Sequence, residues 1–121
     1  MPVFTVNGLT FGILICNDSN FPELARIMAT QGATALFVPS NNGLRPGRAH
    51  AEVVAAARKA DIALALENRV WVIRADVAGR TDELVSYGSS GIVTPGGVVA
   101  QRGRQLSEDL IVAEIDTARC D

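Results

Sequence analysis

The sequence predicts an α/β protein, an α+β layer in which one mixed sheet carries two main helices on one face. Strand and helix signals alternate in the first half of the 121 residues, and hairpin signals dominate the second half. The hydrophobic share of 48% and the charged share of 20% are ordinary for a globular protein. This length suits a single domain, residues 1–121, and is too short for two.

The elements of the first half follow from local signals. Asn7-Gly8 lies between two apolar segments and predicts a tight hairpin, because both residue types tolerate a positive φ. Asn20 is the predicted cap of a helix that has Pro22 in its first turn and Glu23 three residues after the cap. In chain order, the predicted elements are the strands Phe4–Val6 and Leu9–Cys16, the helix Phe21–Gln31 and the strand Ala33–Val38, closed by Pro39.

The second half begins with a loop of Asn, Gly and Pro residues and continues with a long alanine-rich helix. Pro95-Gly96-Gly97 predicts a second hairpin. The predicted elements are the helix Arg48–Glu67, the strand Val70–Val77, the polar loop Ala78–Leu84, the hairpin strands Tyr87–Thr94 and Val98–Gln101, and a last strand Leu110–Ile115. A sheet with helices on one face leaves its other face bare, so we expect something to cover that face.

Composition excludes several classes of function. A net charge of −2 gives no electrostatic reason to expect nucleic acid or an anionic membrane as partner. No apolar run approaches the ~18–20 residues that a bilayer span needs, and no signal segment is apparent at the N-terminus. The two cysteines, Cys16 and Cys120, do not form a disulfide framework. We therefore expect a cytoplasmic protein, and we expect no cofactor or metal, since no ligand cluster or phosphate-binding glycine loop is present.

Cys16 is the strongest candidate for chemistry. It ends an apolar run, and a polar turn leads from it directly into a predicted helix N-terminus. Such an elbow exposes a thiol at the sheet edge, where the helix end favours the thiolate and backbone N–H groups can stabilise an oxyanion. The alternative is a buried cysteine that only packs, which is common for this residue type. Local sequence leaves both readings open and favours packing.

Several segments together match one known pattern. Gly12–Cys16 is an apolar strand that ends in cysteine, and Asp18, Phe21-Pro22-Glu23 and Arg26 follow it. This stretch resembles the nucleophile segment of the nitrilase superfamily of carbon–nitrogen hydrolases. The resemblance continues, in order, through Gly32-Ala33 into Pro39, Ala65-Leu66-Glu67-Asn68 before Val70–Ile73, then Gly88, Ser90, Ile92, Pro95 and Gly97, and finally Val112–Asp116.

The resemblance implies the C-terminal half of an α-β-β-α sandwich. It also implies hydrolysis of an amide, carbamoyl or nitrile group through a Cys16 thioester, with the backbone N–H of Asn17 as an oxyanion donor. Family members also use a Glu as base and a Lys at the oxyanion, both placed before the Cys. The fifteen residues that precede Cys16 hold neither, and Lys59 in the long helix is better read as a surface residue. We therefore expect the chain alone to show little or no amidase activity.

Other polar residues have weaker signals. Asp18 has two candidate roles, to orient the elbow or to cap the turn, of which capping is favoured. Glu23 and Arg26 are expected to form a structural or interfacial pair three residues apart on a helix. Asn41 and Asn42 follow a strand near the position where the family shapes its substrate pocket, although a plain loop role is equally consistent. His50, the single histidine, leaves a weakly supported Cys–His dyad as a further alternative.

The main rival is a non-catalytic module, truncated or degenerate, that folds and associates through its bare sheet face. Apolar strands on that face predict that the chain is not a stable isolated monomer. We expect a homodimer that stacks sheet on sheet, or a missing N-terminal half, with the two helices as a second candidate surface. The residues on which this expectation rests are Phe11, Ile13, Ile15, Val70, Val72 and Ile92.

Overall fold

Six strands form one mixed sheet, in the order β1-β2-β3-β4-β7-β8. The computed structural model describes residues 2–41, 50–80 and 85–115. Within them lie β1 Phe4–Val6, β2 Leu9–Ile13, a 3₁₀ helix Cys16–Asn20, α1 Pro22–Thr30, β3 Ala35–Ser40, α2 His50–Asn68, β4 Trp71–Asp76, β5 Ala78–Arg80, β6 Val85–Tyr87, β7 Gly91–Val93 and β8 Val99–Arg102. β5 and β6 form a separate two-stranded sheet.

The two hairpins at the edges of the large sheet confirm the turn predictions. Asn7 and Gly8 have φ values of 48° and 83°, and they join β1 to β2 in an antiparallel pair. β7 and β8 pair antiparallel around the second turn, in which Gly97 has φ 80°. In both places the turn residue type supplies the positive φ that a two-strand reversal requires.

The centre of the sheet is parallel. β2 pairs parallel with β3, and β3 pairs parallel with β4 over six residues. Each of these connections contains one of the two main helices, α1 between β2 and β3 and α2 between β3 and β4. β4 then pairs antiparallel with β7. The mixed sheet with two helices confirms the predicted fold class.

Both helices lie on the same face of the sheet, which we call the covered face. Met28 and Ala25 of α1 and Leu64 of α2 belong to one buried cluster with strand residues. The strand residues that point into this cluster alternate along β3 and β4 and include Leu36, Val38 and Val72. α1 approaches β2 closely because position 12 is glycine, and a Cβ there would collide with the Met28 sulfur.

The opposite face, here called the open face, is also apolar. Phe11, Ile13, Phe37 and Ile73 are half-buried or exposed on it, and with Val6, Leu9, Pro39 and neighbours they line an open groove of about 570 Å³. Phe11 packs edge-on against Phe37, with ring centroids 5.3 Å apart. Ile92 of β7 lies opposite Ile73 and shares a cavity of about 390 Å³ with residues 103–111.

Several predicted boundaries are wrong for local reasons. The helix α1 begins at Pro22 with Phe21 as N-cap, so Asn20 is not the cap. The strand β3 continues through Pro39 to Ser40. The Phe37 carbonyl accepts from Leu14 N–H, on the β2 side, and the Ser40 carbonyl accepts from Val77 N–H, on the β4 side. By alternation the Pro39 nitrogen faces the β2 side beyond the end of β2, where no ladder bond is lost.

Two larger predictions are also wrong. Ala78–Arg80, expected within a polar loop, is a strand that pairs with β6, and β6 takes Tyr87 away from the predicted β7. Residues 110–115 are not a strand, and Leu110 and Val112 are 84% and 71% exposed. The chain after β8 lies beside Ile73 and Ile92 instead of extending the ladder. Among the described residues, no helix is long and apolar enough to cross a membrane.

Candidate active site

Cys16 lies three residues beyond the end of β2. Leu14 is fully buried, and its N–H donates to the Phe37 carbonyl at 2.9 Å, which keeps the chain against β3 up to that point. The backbone then turns sharply, and Cys16 has φ 50°, in the left-handed region. Cys16 is half-buried and its thiol is free. The strand–turn–helix geometry therefore presents a partly accessible thiol just beyond the carboxyl end of β2, an apolar strand that is mostly half-buried.

Short hydrogen bonds hold this turn. The Asp18 N–H donates to the Ile15 carbonyl at 3.0 Å, and the Ile15 N–H donates to Asp18 Oδ2 at 3.2 Å. Ser19 Oγ donates to the Cys16 carbonyl at 2.8 Å. A left-handed conformation costs a residue with a Cβ roughly 1–2 kcal/mol, so it persists only where such contacts fix it. The Asp18 carboxylate thus hydrogen-bonds across the turn, and its structural role at the site stays a prediction.

The helix next to Cys16 differs from the prediction. Residues 17–20 were expected to be a polar turn ahead of one helix, but Cys16–Asn20 is itself a 3₁₀ helix, and α1 starts after it. Asp, Asn and Ser side chains bond locally to the backbone, which favours such a short tight turn. Cys16 therefore opens the 3₁₀ helix and lies one element away from the α1 N-terminus. Its catalytic role stays a prediction.

Other candidate residues meet at the same edge, because β2, β3 and β4 are parallel and their carboxyl ends coincide. Asn41 follows β3, is exposed, and its Oδ1 accepts a hydrogen bond from Ser86 Oγ at 3.1 Å. Asn42 lies outside the described residues, as do the side chains of Asn17 and His50. The structure brings Cys16 and Asn41 to one edge, and the substrate-binding role of Asn41 stays a prediction.

Asp76 ends β4 at this edge and binds the chain that returns after β6. The N–H and the Oγ of Ser89 both donate to Asp76 Oδ2, each at 2.7 Å. The Asp76 N–H donates to Ser90 Oγ at 2.8 Å. These contacts fix the approach to β7 against the end of β4 and so shape one wall of the edge.

A buried ion pair lies directly beneath the Cys16 turn. Arg74 of β4 donates from Nε to Asp61 Oδ2 at 2.9 Å and from Nη2 to Asp61 Oδ1 at 2.7 Å. Both side chains are almost completely buried. Arg74 also donates to Ser19 Oγ at 3.1 Å and to Ser40 Oγ at 3.2 Å. The guanidinium thereby connects α2, β3, β4 and the Cys16 turn.

The remaining candidate residues lie away from Cys16. Glu23 and Arg26 are exposed on α1, beside Glu67 and Asn68 at the end of α2, and they form no ion pair with each other. Lys59 is exposed on α2, as expected for a surface residue. In the described ranges, no group of three or more His, Cys, Asp or Glu side chains is arranged to hold a metal ion.

Comparison with known proteins identifies the family. The family model described as carbon-nitrogen hydrolase matches residues 1–121. The chain belongs to this family. A mouse relative, deaminated glutathione amidase, is 40% identical over 116 residues, which are 95% of this chain and 33% of that protein. The chain thus spans about a third of the length of this carbon–nitrogen hydrolase.

Solved structures of the family have the same fold. Nit3 of Saccharomyces cerevisiae, a member of branch 10 of the nitrilase superfamily, superposes with a TM-score of 0.75 at 26% identity, over 88% of this chain and 38% of that one. A mutant amidase from Nesterenkonia sp. AN1, which shows Michael addition of acrylamide at its active-site cysteine, gives a TM-score of 0.67 at 28% identity, over 85% and 38%.

Sequence reasoning about this family member missed the polar network under Cys16. Arg74 interrupts an apolar strand at a position that alternation assigns to the covered face, between Val72 and Asp76. A buried arginine needs a buried partner, and Asp61 in the alanine-rich part of α2 was the available carboxylate. A charged residue within an otherwise apolar strand was therefore the signal that could have located this pair.

Proposed function

We propose that this chain is the C-terminal, nucleophile-bearing half of a carbon–nitrogen hydrolase that cleaves an amide, carbamoyl or nitrile group outside peptide bonds. The observation that carries the proposal is the left-handed Cys16 just beyond the apolar strand β2, in a chain that belongs to this family. The match to about a third of a full-length relative supports the reading as a part of a larger fold.

In this mechanism the Cys16 thiolate attacks the carbonyl carbon of the substrate, and the carbonyl π electrons move onto oxygen. The backbone N–H of Asn17 donates to that oxyanion. When the tetrahedral intermediate collapses, the C–N bond breaks, the amine leaves with a proton, and a thioester on Cys16 remains. Water then attacks the thioester carbonyl and releases the acid and the thiol.

An amide is the substrate class with most support. The mouse relative is named as an amidase, and the Nesterenkonia amidase reacts with acrylamide at its active-site cysteine. We assign Asn41 to substrate binding, with Asn42 as its neighbour, because Asn41 is exposed at the edge to which the strand before Cys16 leads. A side-chain amide can donate to and accept from a substrate amide. A free thiol is required, so we place the reaction in the reducing cytoplasm.

The base and the oxyanion lysine of the family have to come from elsewhere. No Glu or Lys occurs before Cys16, and Lys59 points to solvent from α2. We propose that an N-terminal segment or partner supplies both groups when it packs on the open face. Loss of members of a catalytic constellation commonly costs on the order of 10⁴-fold in rate, so the chain alone should hydrolyse amides very slowly.

The test uses the 121-residue chain with Cys120→Ala, so that Cys16 is the single thiol. Acrylamide labelling, followed by intact mass, should modify Cys16 faster in the native chain than in urea, and ammonia release from a short aliphatic amide should be near background. Extension of the N-terminus with the corresponding segment of a family amidase should restore hydrolysis, and Cys16→Ala should abolish it. Ordinary turnover by the unextended chain, or slower labelling in the native state, would contradict the proposal.

The open face gives the rival function its support. A non-catalytic module that associates through this face would use the same apolar groove, lined by Phe11, Ile13, Phe37 and Ile73 among others. At ~25 cal/mol per Å² of apolar surface, covering such a face drives association strongly. We propose a two-fold homodimer of the isolated chain, with sheets stacked face to face, that gives way to the N-terminal half when that half is present.

Only some of the residues expected on the bare face are available for the proposed association. Phe11 and Ile13 lie on the open face, but Val70 and Val72 are buried in the cluster under the helices. Ile92 is buried too, beside residues 103–111, and Ile15 is exposed in the Cys16 turn and not on a strand. Three of the six residues expected on the bare face, Val70, Val72 and Ile92, are therefore already buried within the chain.

Sedimentation velocity at micromolar concentration distinguishes the candidate surfaces. Ile13→Glu places a charge on the open face, whereas Ile27→Glu places one on the exposed side of α1, and the two isoleucines are similarly accessible at 38% and 41%. We expect Ile13→Glu alone to shift the chain to monomer. Dissociation by Ile27→Glu alone would assign the contact to the helices, and a monomeric unmodified chain would contradict association altogether.

A further inference from the structure

We propose that Arg74 and Asp61 are positioning residues for the Cys16 nucleophile and its oxyanion donor, and that they act through the hydroxyl of Ser19. This inference rests on the proposed function, because it assigns a role in the same site. Arg74 and Asp61 do not touch the reacting atoms. Their effect passes along one continuous set of hydrogen bonds, from α2 through β4 to the Cys16 turn.

The path is complete and short. Asp61 accepts two hydrogen bonds from Arg74, at 2.9 and 2.7 Å, so the guanidinium plane is fixed. Arg74 Nη2 then donates to Ser19 Oγ at 3.1 Å, which leaves that hydroxyl hydrogen to donate to the Cys16 carbonyl at 2.8 Å. Ser19 is 4% exposed, so water does not compete for these bonds. The Ser19 hydroxyl, which accepts from Arg74, therefore has its single hydrogen directed at the Cys16 carbonyl.

The carbonyl at the end of this path determines where the oxyanion donor points. The carbonyl of Cys16 and the N–H of Asn17 belong to one planar peptide, and none of the described peptide bonds is cis. Their two dipoles therefore point in opposite directions. Ser19 holds the carbonyl on its own side of the turn, so the Asn17 N–H points to the opposite side, where the proposed function requires the substrate. Rotation of this peptide, through ψ of Cys16 and φ of Asn17, would turn the donor away.

Stability alone does not account for this arrangement. A buried ion pair is a weak source of stability, because its desolvation cost offsets much of the attraction, and apolar residues of similar volume often serve as well. Arg74 and Asp61 lie among the apolar residues of the covered face, where Val72 and Leu64 fill neighbouring positions. The arginine places two of its hydrogen bonds on serines, and one of those serines belongs to the Cys16 turn.

The test compares two serines bonded to the same guanidinium. Ser19→Ala removes the link to the Cys16 carbonyl, whereas Ser40→Ala removes the matched bond from Arg74 Nη1 and leaves the turn intact. Both variants are made in the Cys120→Ala chain, and the rate of acrylamide addition to Cys16 is measured against pH. A hydrogen bond of ordinary net strength corresponds to about a three- to tenfold change in rate.

We expect Ser19→Ala to slow alkylation near neutral pH by that factor and to move the pH profile upward, while Ser40→Ala stays within about twofold. Ser19→Thr keeps the hydroxyl and should recover the original profile. Equal rates for the two alanine variants, or a loss that threonine does not recover, would overturn the positioning role. If Ser19→Ala does not fold, Arg74→Lys takes its place, because lysine keeps the charge but cannot reproduce the paired hydrogen bonds to Asp61 and Ser19. An unchanged pH profile in that variant overturns the positioning role.

The same data separate this inference from the proposed function. If Cys16 in the native chain reacts no faster than in urea, the nucleophile assignment itself fails. If it reacts faster but Ser19→Ala leaves the profile unchanged, only the role of Arg74 and Asp61 fails. Thermal unfolding of each variant tests whether it is folded under the labelling conditions, so that a change in the labelling rate is not attributed to unfolded protein.

Discussion

The two faces of the central sheet are built from the same strands but have different environments. Along β3, Leu36 is fully buried under the helices and Phe37, the next residue, is half-buried in the open groove. The same alternation holds for Val72 and Ile73 in β4. Both faces are apolar, so hydrophobicity alone does not show which one the chain covers by itself. Strands that are apolar on both sides are typical of sheets buried on both faces.

The faces also differ in where their polar groups lie. The covered face, although better packed, contains the Arg74–Asp61 pair, and that pair connects to the Cys16 turn. The groove on the open face is lined by apolar residues from Val6 to Ala75. The covered face thus supports the candidate active site, whereas the open face is the surface that we propose for association.

The largest expected effect tests the polar pair on the covered face. Arg74→Met leaves the Asp61 carboxylate buried without its partner and should lower the free energy of unfolding by about 3–5 kcal/mol. The double variant Arg74→Met, Asp61→Leu removes both charges and should lie within about 1 kcal/mol of the unmodified chain. Urea unfolding measures both. A double variant as unstable as the single one would show that the pair itself is needed for the fold.

The second prediction compares two neighbouring residues of β3 that lie on opposite faces of the sheet. Leu36→Ala deletes a fully buried side chain and should cost about 3 kcal/mol, because it leaves a cavity among packed side chains. Phe37→Ala truncates a larger, half-buried side chain and should cost only about 1 kcal/mol in the isolated chain at low concentration. Equal losses in urea unfolding would mean that the open face is already covered.

The smallest expected effect concerns the edge of the covered face. Burial lowers the pKa of Arg58, and the charge of Arg102 in β8 lowers it further, while Asp61 opposes the shift. A lowered pKa in the folded state means that the charged guanidinium costs stability throughout the neutral range. Arg102→Glu should therefore raise the free energy of unfolding by about 0.5 kcal/mol, discounted for solvent screening.

Arg102→Gln is the control for this last effect, since it removes the like charge without adding an opposite one. It should give roughly half the gain of Arg102→Glu in thermal unfolding at low salt. Both gains should shrink in about 1 M salt, where the screening length is only a few ångströms. A gain that salt does not reduce would assign the effect to side-chain packing.

Local signals predicted much of this fold. Asn7-Gly8 and Pro95-Gly96-Gly97 determine their hairpins through backbone conformation alone, and the structure confirms both. The two helices and the parallel strands also lie close to their predicted ranges. Failures occur where a distant segment decides the outcome. Ala78–Arg80 is a strand because β6 returns to pair with it, and residues 110–115 are not a strand in this structure.

The candidate site also has features that local sequence predicts and features that depend on distant segments. The position of Cys16 after an apolar strand could be predicted from a few residues. The left-handed φ of Cys16 was not predicted. The link through Ser19 to Arg74 was not predicted either, because it depends on a contact across 55 positions of the chain. Alternation marks Arg74 as buried, but only the packed structure shows that Asp61 and the Cys16 turn lie within its reach.

The parallel pairing of β2, β3 and β4 also has a consequence for how the chain folds. Each of these strand pairs forms only after a long crossover connection has closed. Closure lowers the entropy of the chain before the contacts between the strands stabilise it. The edge hairpins are local and can form within microseconds, long before the centre. The rate of folding should therefore depend on the docking of α1 and α2 onto the strands. Substitutions in these helices would change how long the unpaired apolar strands are exposed to aggregation with other chains during synthesis.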